Sequence, residues 1–485
     1  MKKSRSSRSL RSATGQAHRR PRNPGAGWSR RERPAATAAA DQPLAQPEQP
    51  LVIDGLTHDG RGIGRLDGKA CFVRGALPGE QVTWRREASH RNFDEGGVLE
   101  RLRSSVQRQS PGCDFYPRCG GCSLRHLDAS AALGYKQENF ARDIARAGLR
   151  VETWLPPLQG GSDGYRRRAR LAVQKTRDGR IELGFRNAAS RRIEPISSCA
   201  VLTPLLSALL AVLPALLAAL PLDIAEVELT EVGIGEPSLL VALSAAPGQR
   251  LNDSGRARLL RAAQAAAAAL ELGAEQLQLW WREANQRDFS SLSDVAGSAL
   301  ELPGGVQLAV SPGQFLQVNE AVNRAMIDQV LALAKGGELA VDLFAGGGNF
   351  ALPLAARYQR VVAVEGLQGL VDAGIANAAQ NGIKNVEFAC ADLTEPLPLR
   401  LLDAPRRDSV DLLLIDPPRA GAAAAMEWIA KAEAKQIIYI SCHPATLLRD
   451  AKILLAAGYR WRRVAALDMF PQTAHLEALA LFERA

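Results

Sequence analysis

The amino-acid sequence predicts an α/β protein with a mostly parallel sheet in its C-terminal part, preceded by a small β-barrel and a central α+β domain. Residues 301–485 alternate strand-like and helix-like segments, which is the pattern of a parallel sheet covered by helices. Residues 50–103 contain short alternating apolar runs with glycine-rich turns at roughly 8–12-residue intervals, which is typical of a compact barrel. We therefore divide the 485 residues into a tail (1–45), a barrel domain (46–104), a central domain (105–300) and a C-terminal sheet domain (301–485).

The positive charge of the chain is concentrated in the tail. Residues 1–34 contain eleven Lys or Arg and one Glu, so their net charge of +10 exceeds the +9 of the whole chain. With few large apolar residues, this segment is expected to be disordered. Such an arm would either bind polyanions through counterion release or simply increase solubility.

One uncharged stretch, 204–222, is nearly long enough to span a bilayer. Pro214 and Pro221 interrupt it and it is rich in alanine, so we predict a buried helix pair and no membrane association. No apolar signal-peptide core follows the N-terminal charges, so we expect a cytoplasmic protein. In that compartment, seven cysteines indicate a metal site or catalysis before disulfides.

Four cysteines of the central domain form a candidate metal site. Cys113, Cys119 and Cys122 lie close together in a glycine-rich loop, and Cys199 follows 77 residues later. Four thiolates suit either tetrahedral zinc or an iron–sulfur cluster, and the spacing does not separate the two.

A basic strand follows the cysteine loop. Alternation places Arg166, Arg168 and Arg170 on one face, where they could track RNA phosphates. Salt-bridged surface arginines are the alternative interpretation.

The C-terminal domain contains a nucleotide-cofactor pattern. A strand ends in the turn Asp342-Leu-Phe-Ala-Gly-Gly-Gly-Asn349, where glycine allows close backbone approach and a helix N-terminus offers free N–H groups. Glu365 ends the next strand, where a carboxylate can accept from ribose hydroxyls, and Asp392 ends a third, within reach of an adenine amine. With Asp416-Pro-Pro-Arg419, this pattern resembles the class I S-adenosylmethionine-dependent methyltransferases, which have a Rossmann-like sheet.

A thiol and a carboxylate indicate which atom is methylated. Carbon 5 of uracil becomes nucleophilic when a thiolate adds to carbon 6, and a base must later remove the carbon 5 proton. Cys442 and Glu477 supply these groups at predicted strand ends, with Cys442 as nucleophile and Glu477 as base. Cys390 is a competing thiol, which we expect to be buried within a strand.

The segments around Cys442 and Glu477 resemble the RNA 5-methyluridine methyltransferase family, and the likeness covers roughly residues 50–485. Asp59-Gly-Arg-Gly-Ile-Gly-Arg65 resembles a TRAM domain, an RNA-binding barrel, whose glycines would let RNA approach the backbone or would simply form a hairpin. The four-cysteine pattern is similar to that of the members acting on 23S rRNA. This similarity implies a [4Fe-4S] cluster held by Cys113, Cys119, Cys122 and Cys199.

The resemblance further implies that S-adenosyl-L-methionine is the cofactor and 23S rRNA the partner, and we expect a monomer. The implied cofactor contacts are Gln317, Phe344, Asn349, Glu365, Asp392 and Asp416. Two alternatives remain at this point. One is the same chemistry on another rRNA or tRNA uridine; the other is a non-catalytic rRNA-binding assembly factor, which would need neither Cys442 nor Glu477.

Overall fold

The computed structural model describes residues 49–220, 222–293, 298–395 and 410–484; the predicted tail, 1–45, lies outside them. Five strands near the start of this range close into a barrel in the order β1-β2-β3-β5-β4. They are β1 (Leu51–Leu56), β2 (Gly62–Leu66), β3 (Lys69–Arg74), β4 (Gln81–Ser89) and β5 (Phe93–Arg103). Alternate side chains such as Ile53, Val73 and Trp84 fill the interior, as strand alternation requires.

The glycines of β2 are explained by packing inside this barrel. A Cβ atom on Gly64 would lie 2.5 Å from the Val52 carbonyl oxygen, and one on Gly62 would lie 2.9 Å from Ala76 atoms. Both contacts are closer than a side chain tolerates, so glycine is required here by the neighbouring strand. Close approach of RNA is not needed to account for them.

The central domain is built on a seven-stranded sheet with the order β13-β12-β11-β10-β7-β8-β9. Its strands are β7 (Arg168–Lys175), β8 (Ile181–Arg186), β9 (Ile193–Pro195), β10 (Ile224–Val232), β11 (Ser238–Ala245), β12 (Leu277–Arg282) and β13 (Ser290–Ser291). Helices α2 (Pro204–Ala218) and α3 (Asp253–Ala269) pack on it, and a short 3-10 helix (Ala274–Gln276) precedes β12.

The uncharged stretch that predicted a helix pair forms one helix instead. Pro214 lies inside α2, where leucines at three- and four-residue spacing are buried against the sheet. The two-helix prediction was therefore wrong, because burial of this leucine face stabilises the helix through the proline. Among the described residues, no helix combines the length and apolar character needed to cross a membrane.

The C-terminal domain contains an eight-stranded sheet with the order β18-β17-β16-β19-β20-β22-β21-β6. Its strands are β6 (Thr153–Trp154), β16 (Gly337–Leu343), β17 (Tyr358–Glu365), β18 (Val386–Cys390), β19 (Leu412–Ile415), β20 (Gln436–Ser441), β21 (Tyr459–Leu467) and β22 (Glu477–Arg484). The helices of this domain are α4 (Glu320–Leu333), α5 (Ala351–Leu354), α6 (Gln368–Gln380), α7 (Met426–Lys431) and α8 (Pro444–Ala456). A hairpin of β14 (Ser298–Leu302) and β15 (Val306–Val310) precedes them.

Part of the predicted central segment packs with the C-terminal sheet. Helix α1 (Ala129–Arg146) buries Leu133, Phe140 and Ile144 in the core of that sheet, and β6 pairs with β21 as the outermost strand. Helix α1 and strand β6 of the range 105–300 thus pack with the C-terminal sheet, while Ala132 on the same helix packs with Leu56 of the barrel.

Candidate active site

The predicted site residues lie along the carboxyl ends of the parallel strands, and this end of the C-terminal sheet is called here its carboxyl edge. The parallel strands β17, β16, β19 and β20 are neighbours, and their carboxyl ends carry Glu365, Phe344, Asp416 and Cys442 in that order. Strand β22 runs antiparallel to β20, with Ser441 opposite Ala478, so Glu477 begins β22 at the same edge. Five strands about 4.8 Å apart make this row roughly 19 Å long, enough for a cofactor at one end and a base at the other.

The cofactor end is formed by the turn after β16. Phe344 has a φ of +64°, a left-handed conformation that is strained for any residue except glycine, and Gly346 and Gly348 follow with positive φ. The Glu365 carboxylate accepts from the backbone N–H groups of Gly346 and Leu367, both at 3.1 Å. Asn349 exchanges side-chain hydrogen bonds with Asn323 of α4. These contacts fix the turn in the shape of a nucleotide-binding loop.

Asp342, at the end of β16, has an unusual environment. It is fully buried, and in the described part of the chain neither carboxylate oxygen has a hydrogen-bond partner of good geometry, although the Ala351 N–H is near enough to lower the pKa of the carboxyl slightly. Burial, followed by the negative charge of Asp416, holds the pKa of Asp342 well above its ordinary value. A buried acceptor of this kind next to a glycine turn is suited to a ligand that donates hydrogen bonds or carries positive charge.

Cys442 and Glu477 lie close enough for the charge of Glu477 to act on the Cys442 thiol, in an acidic and largely buried environment. Burial, followed by the negative charges of Glu477 and Asp416, raises the pKa of the Cys442 thiol to about 11. Burial and then Asp416 raise the pKa of Glu477 to about 8, and its side chain is only 6% exposed. Arg419 opposes both shifts. Both groups are thus held toward their neutral forms, and an added positive charge would favour their ionised forms.

Asp416 is partly exposed to solvent, but its carboxyl is surrounded by protein atoms. These atoms surround the carboxyl closely enough that burial raises its pKa to about 7.

Comparisons with known proteins agree with this geometry. The family model described as tRNA (Uracil-5-)-methyltransferase matches residues 304–485, and the TRAM domain model matches residues 47–99. The 23S rRNA (uracil(1939)-C(5))-methyltransferase RlmD of Pseudomonas putida is 41% identical over 459 residues, which cover 93% of this chain and 97% of that protein. The enzyme of the same name from Nitrosococcus oceani is 39% identical, covering 91% and 98%.

The chain belongs to the RlmD family of 23S rRNA (uracil-C5)-methyltransferases. The crystal structure of a Pyrococcus abyssi tRNA (uracil-54, C5)-methyltransferase in complex with S-adenosyl-L-homocysteine has a TM-score of 0.67 to this methyltransferase. The match spans 90% of the chain studied here and 100% of the Pyrococcus chain at 23% identity, and it supports the methyltransferase fold. The predicted methyltransferase fold and TRAM barrel are thereby confirmed.

The other predicted cofactor contacts lie around the same edge. Gln317 is 8% exposed and belongs to the segment 311–319, which leads into α4. Asp392 follows β18 and accepts from the Thr394 backbone N–H and hydroxyl at 2.9 and 2.7 Å, which lowers its pKa. Cys390 is exposed, so the prediction that it is buried was wrong. Strand β18 is the outermost strand of the sheet, and none of its five residues is buried.

The four cysteines of the candidate metal site influence one another. Burial raises the pKa of Cys122 to about 12, and the charges of Cys199, Cys119 and Cys113 contribute to the shift. The Gly121 N–H donates to the Cys119 sulfur at 3.4 Å. Yet within the described ranges no three His, Cys, Asp or Glu side chains form a group that could hold a metal ion. The mutual effects of their charges show that the four thiols lie near one another.

The predicted phosphate-tracking face is largely occupied by protein contacts. Arg168 and Arg170 both bind the buried carboxylate of Glu228, at 2.8 and 2.7 Å, and Arg166 donates to the Arg168 carbonyl. The Arg168 side chain is only 11% exposed, whereas that of Arg170 is 54% exposed. Arg166 also precedes the strand, which begins at Arg168. The alternative of salt-bridged arginines therefore describes Arg168, and only Arg170 presents substantial surface.

The sequence analysis missed two features that shape the site. Arg419 acts on Cys442 and Glu477, and its position directly after Asp-Pro-Pro was the available signal. Asp450, fully buried in α8, accepts from the Ala422 N–H at 2.9 Å and from the Tyr439 hydroxyl at 2.7 Å. It therefore ties the loop after Asp416 to the helix that follows Cys442, a long-range contact that no local motif reveals.

Proposed function

We propose that this methyltransferase converts one uridine of 23S rRNA, the position that the relatives' names number 1939, to 5-methyluridine. The observation that carries the proposal is the pairing of Cys442 with Glu477 at the sheet edge that also carries the cofactor turn. A non-catalytic RNA-binding protein would have no use for that pair.

The proposed reaction proceeds through a covalent intermediate. The Cys442 thiolate adds to carbon 6 of the uracil, and the resulting enolate attacks the sulfonium methyl from carbon 5, releasing S-adenosylhomocysteine. The Glu477 carboxylate then takes the proton from carbon 5, and the electron pair left behind expels the Cys442 thiolate. The reaction is balanced in charge, because the sulfonium loses its positive charge as the methyl group leaves and the proton taken by Glu477 carries that charge away.

The electrostatics of the site suit a cationic cofactor. Asp342, Asp416 and Glu477 all have raised pKa values, so the free site disfavours further negative charge. A sulfonium bound beside them would lower the pKa values of Cys442 and Glu477 together. Cofactor binding would thus generate the thiolate and the base at the moment they are required.

Cofactor contacts are proposed for the residues around the turn. Glu365 would accept from the ribose hydroxyls, and Asp392 would accept from the adenine amine. Gln317, Phe344, Asn349 and Asp416 would surround the methionine part. Each lies in the turn, at a strand end or in the segment leading into α4.

The four-cysteine site is proposed to hold a [4Fe-4S] cluster. The charges of Cys199, Cys119 and Cys113 act on Cys122, so the four thiols lie near one another, as a shared site requires. The family resemblance favours a [4Fe-4S] cluster over zinc, and each of the four thiolates could bind one iron. Cys113, Cys119, Cys122 and Cys199 would hold the cluster, which supplies no redox step to methyl transfer and would serve to fix the loop.

The target base must leave the folded RNA to reach both Cys442 and the sulfonium. Flipping costs a few kcal/mol, which contacts away from the base have to offset. The barrel and the exposed Arg170 are the proposed contributors.

Methylation of unmodified 23S rRNA transcript with methyl-labelled cofactor tests the proposal. The full chain should place one 5-methyluridine, located by mass spectrometry of nuclease fragments, and Cys442→Ala should abolish it. Cys390→Ala, which removes the exposed thiol of the same domain, should retain wild-type activity. Methylation of a tRNA transcript in preference to rRNA, or of neither, would contradict the proposal.

A further inference from the structure

The segment that leads into Glu477 is held by contacts from several parts of the chain. This segment, Asp468–Leu476, connects β21 to β22 and is called here the pre-Glu477 turn. The backbone N–H groups of Ser123 and Leu124 donate to its Gln472 carbonyl at 3.0 and 3.1 Å. The Ala474 N–H donates to the Ser123 hydroxyl at 3.1 Å. The loop that carries the four-cysteine site is therefore bonded directly to the turn.

A buried lysine fixes the first half of the same turn. The Lys136 ammonium donates to the Asp468 carboxylate at 2.7 Å, and to the Phe470 and Pro471 carbonyls at 3.3 and 3.4 Å. The side chains of Lys136 and Asp468 are each 4% exposed. The ammonium thus reaches three acceptors within four residues of the chain, so displacing it would release the backbone of the turn.

A buried ion pair of this type contributes little net stability. The cost of removing both charges from water offsets their attraction, and apolar replacements of such pairs are often neutral. What three directed hydrogen bonds do provide is one defined backbone path. The main effect of Lys136 is therefore to fix the backbone of the turn, and its contribution to the free energy of unfolding is small.

Lys136 can hold the turn in place because its helix, α1, is itself held by the C-terminal sheet and by the barrel. Leu133 and Phe140 of α1 are packed in the core of the C-terminal sheet. The Asn139 side-chain amide donates to the Leu56 carbonyl of the barrel at 3.1 Å. The position of the turn is therefore set, through Lys136, by the position of helix α1.

We propose that Lys136 is a positioning residue that holds the pre-Glu477 turn so that the Glu477 carboxylate reaches the carbon 5 proton. This inference rests on the proposed role of Glu477 as the base. The bonds of Lys136 are to the turn, so it would act by setting where β22 begins. Misplacement of a reacting group by about 1 Å can slow a reaction by roughly 100-fold.

The test uses the full-length double variant Lys136→Met/Asp468→Asn, which removes both charges and leaves neither one buried alone. Its matched control is Lys431→Met/Glu427→Gln, which removes an exposed pair with the same 2.7 Å separation. For each protein we would measure the folded fraction, cofactor affinity, turnover on 23S rRNA and the amount of covalent protein–RNA adduct on a denaturing gel.

The expected result has three parts. Turnover per folded molecule falls about 10- to 100-fold, cofactor affinity is unchanged, and the adduct accumulates because proton removal has become slow. The control behaves as the wild type. Turnover that falls only with the folded fraction, without adduct, would overturn the inference, as would failure of the double variant to fold, since either would show a purely structural role. If Glu477→Gln also gives no adduct, the proposed function fails instead.

Discussion

Replacement of Glu477 by Gln should make the protein more stable at alkaline pH, although a buried polar side chain is being changed. The pKa of this carboxyl is raised from 4.5 to about 8 in the folded protein, first by burial and then by Asp416. The folded state therefore holds the proton more tightly than the unfolded chain between these two values. Since the unfolded state binds fewer protons there, the free energy of unfolding falls as pH rises.

The size of the stability change follows from the difference between the unfolded and folded pKa values of Glu477. Each pH unit between the two pKa values costs about 1.4 kcal/mol. The wild type should therefore lose about 3–5 kcal/mol relative to Glu477→Gln between pH 4.5 and pH 8. Glutamine resembles the protonated carboxyl and does not titrate, so the variant lacks this contribution.

Urea unfolding at pH 5, 6, 7 and 8.5 measures the difference. Glu301→Gln, which neutralises an exposed carboxylate on β14, is the matched control and should follow the wild type at every pH. A Glu477→Gln profile parallel to the wild type would refute the reasoning, because it would show that the carboxyl is not kept neutral by its surroundings.

Four further predictions concern the rest of the molecule. Arg170→Gln should lower the salt dependence of RNA binding by roughly 0.7–0.9 of a log unit if one phosphate contact is lost, as measured by binding at several salt concentrations. Arg168→Gln should instead destabilise the fold by about 3–5 kcal/mol, because Glu228 is left buried with weaker compensation; chemical denaturation measures this. Glu228→Gln should weaken cofactor binding several-fold by calorimetry, since Glu228 also accepts from the Gly313 N–H at 2.9 Å in the segment that carries Gln317. Anaerobically purified protein should contain about four irons per chain and no stoichiometric zinc by elemental analysis, and Cys119→Ser should reduce the iron content.

The sheet and the row of strand ends were predictable from the sequence because each depends on local patterns. Strand β16, the glycine turn and Glu365 follow one another along the chain, and parallel sheets bring such strand ends to one edge. Cys442 follows β20 as expected. The antiparallel direction of β22 brings Glu477 to the same edge, a fact that only the family resemblance could supply.

The remaining features depend on contacts between residues that are distant in the chain. The pair Lys136–Asp468 spans 332 positions, and no periodicity links its members. The pairing of Arg168 with Glu228, which lies 60 positions away on another strand, could not be read from the alternation of the arginine face. The exposure of Cys390 likewise depends on which strand forms the sheet edge. Alternation predicts which side chains share a face, but it does not reveal what covers that face.

The central claim, that Cys442 and Glu477 act in sequence through a covalent intermediate, is tested most directly by one measurement. Glu477→Gln is incubated with 23S rRNA and cofactor, and the denatured product is digested and analysed by mass spectrometry. The predicted result is a peptide containing Cys442 linked to a methylated uridine, absent from the Cys442→Ala/Glu477→Gln double variant. Normal release of 5-methyluridine by Glu477→Gln, or an adduct on another residue, would contradict the account.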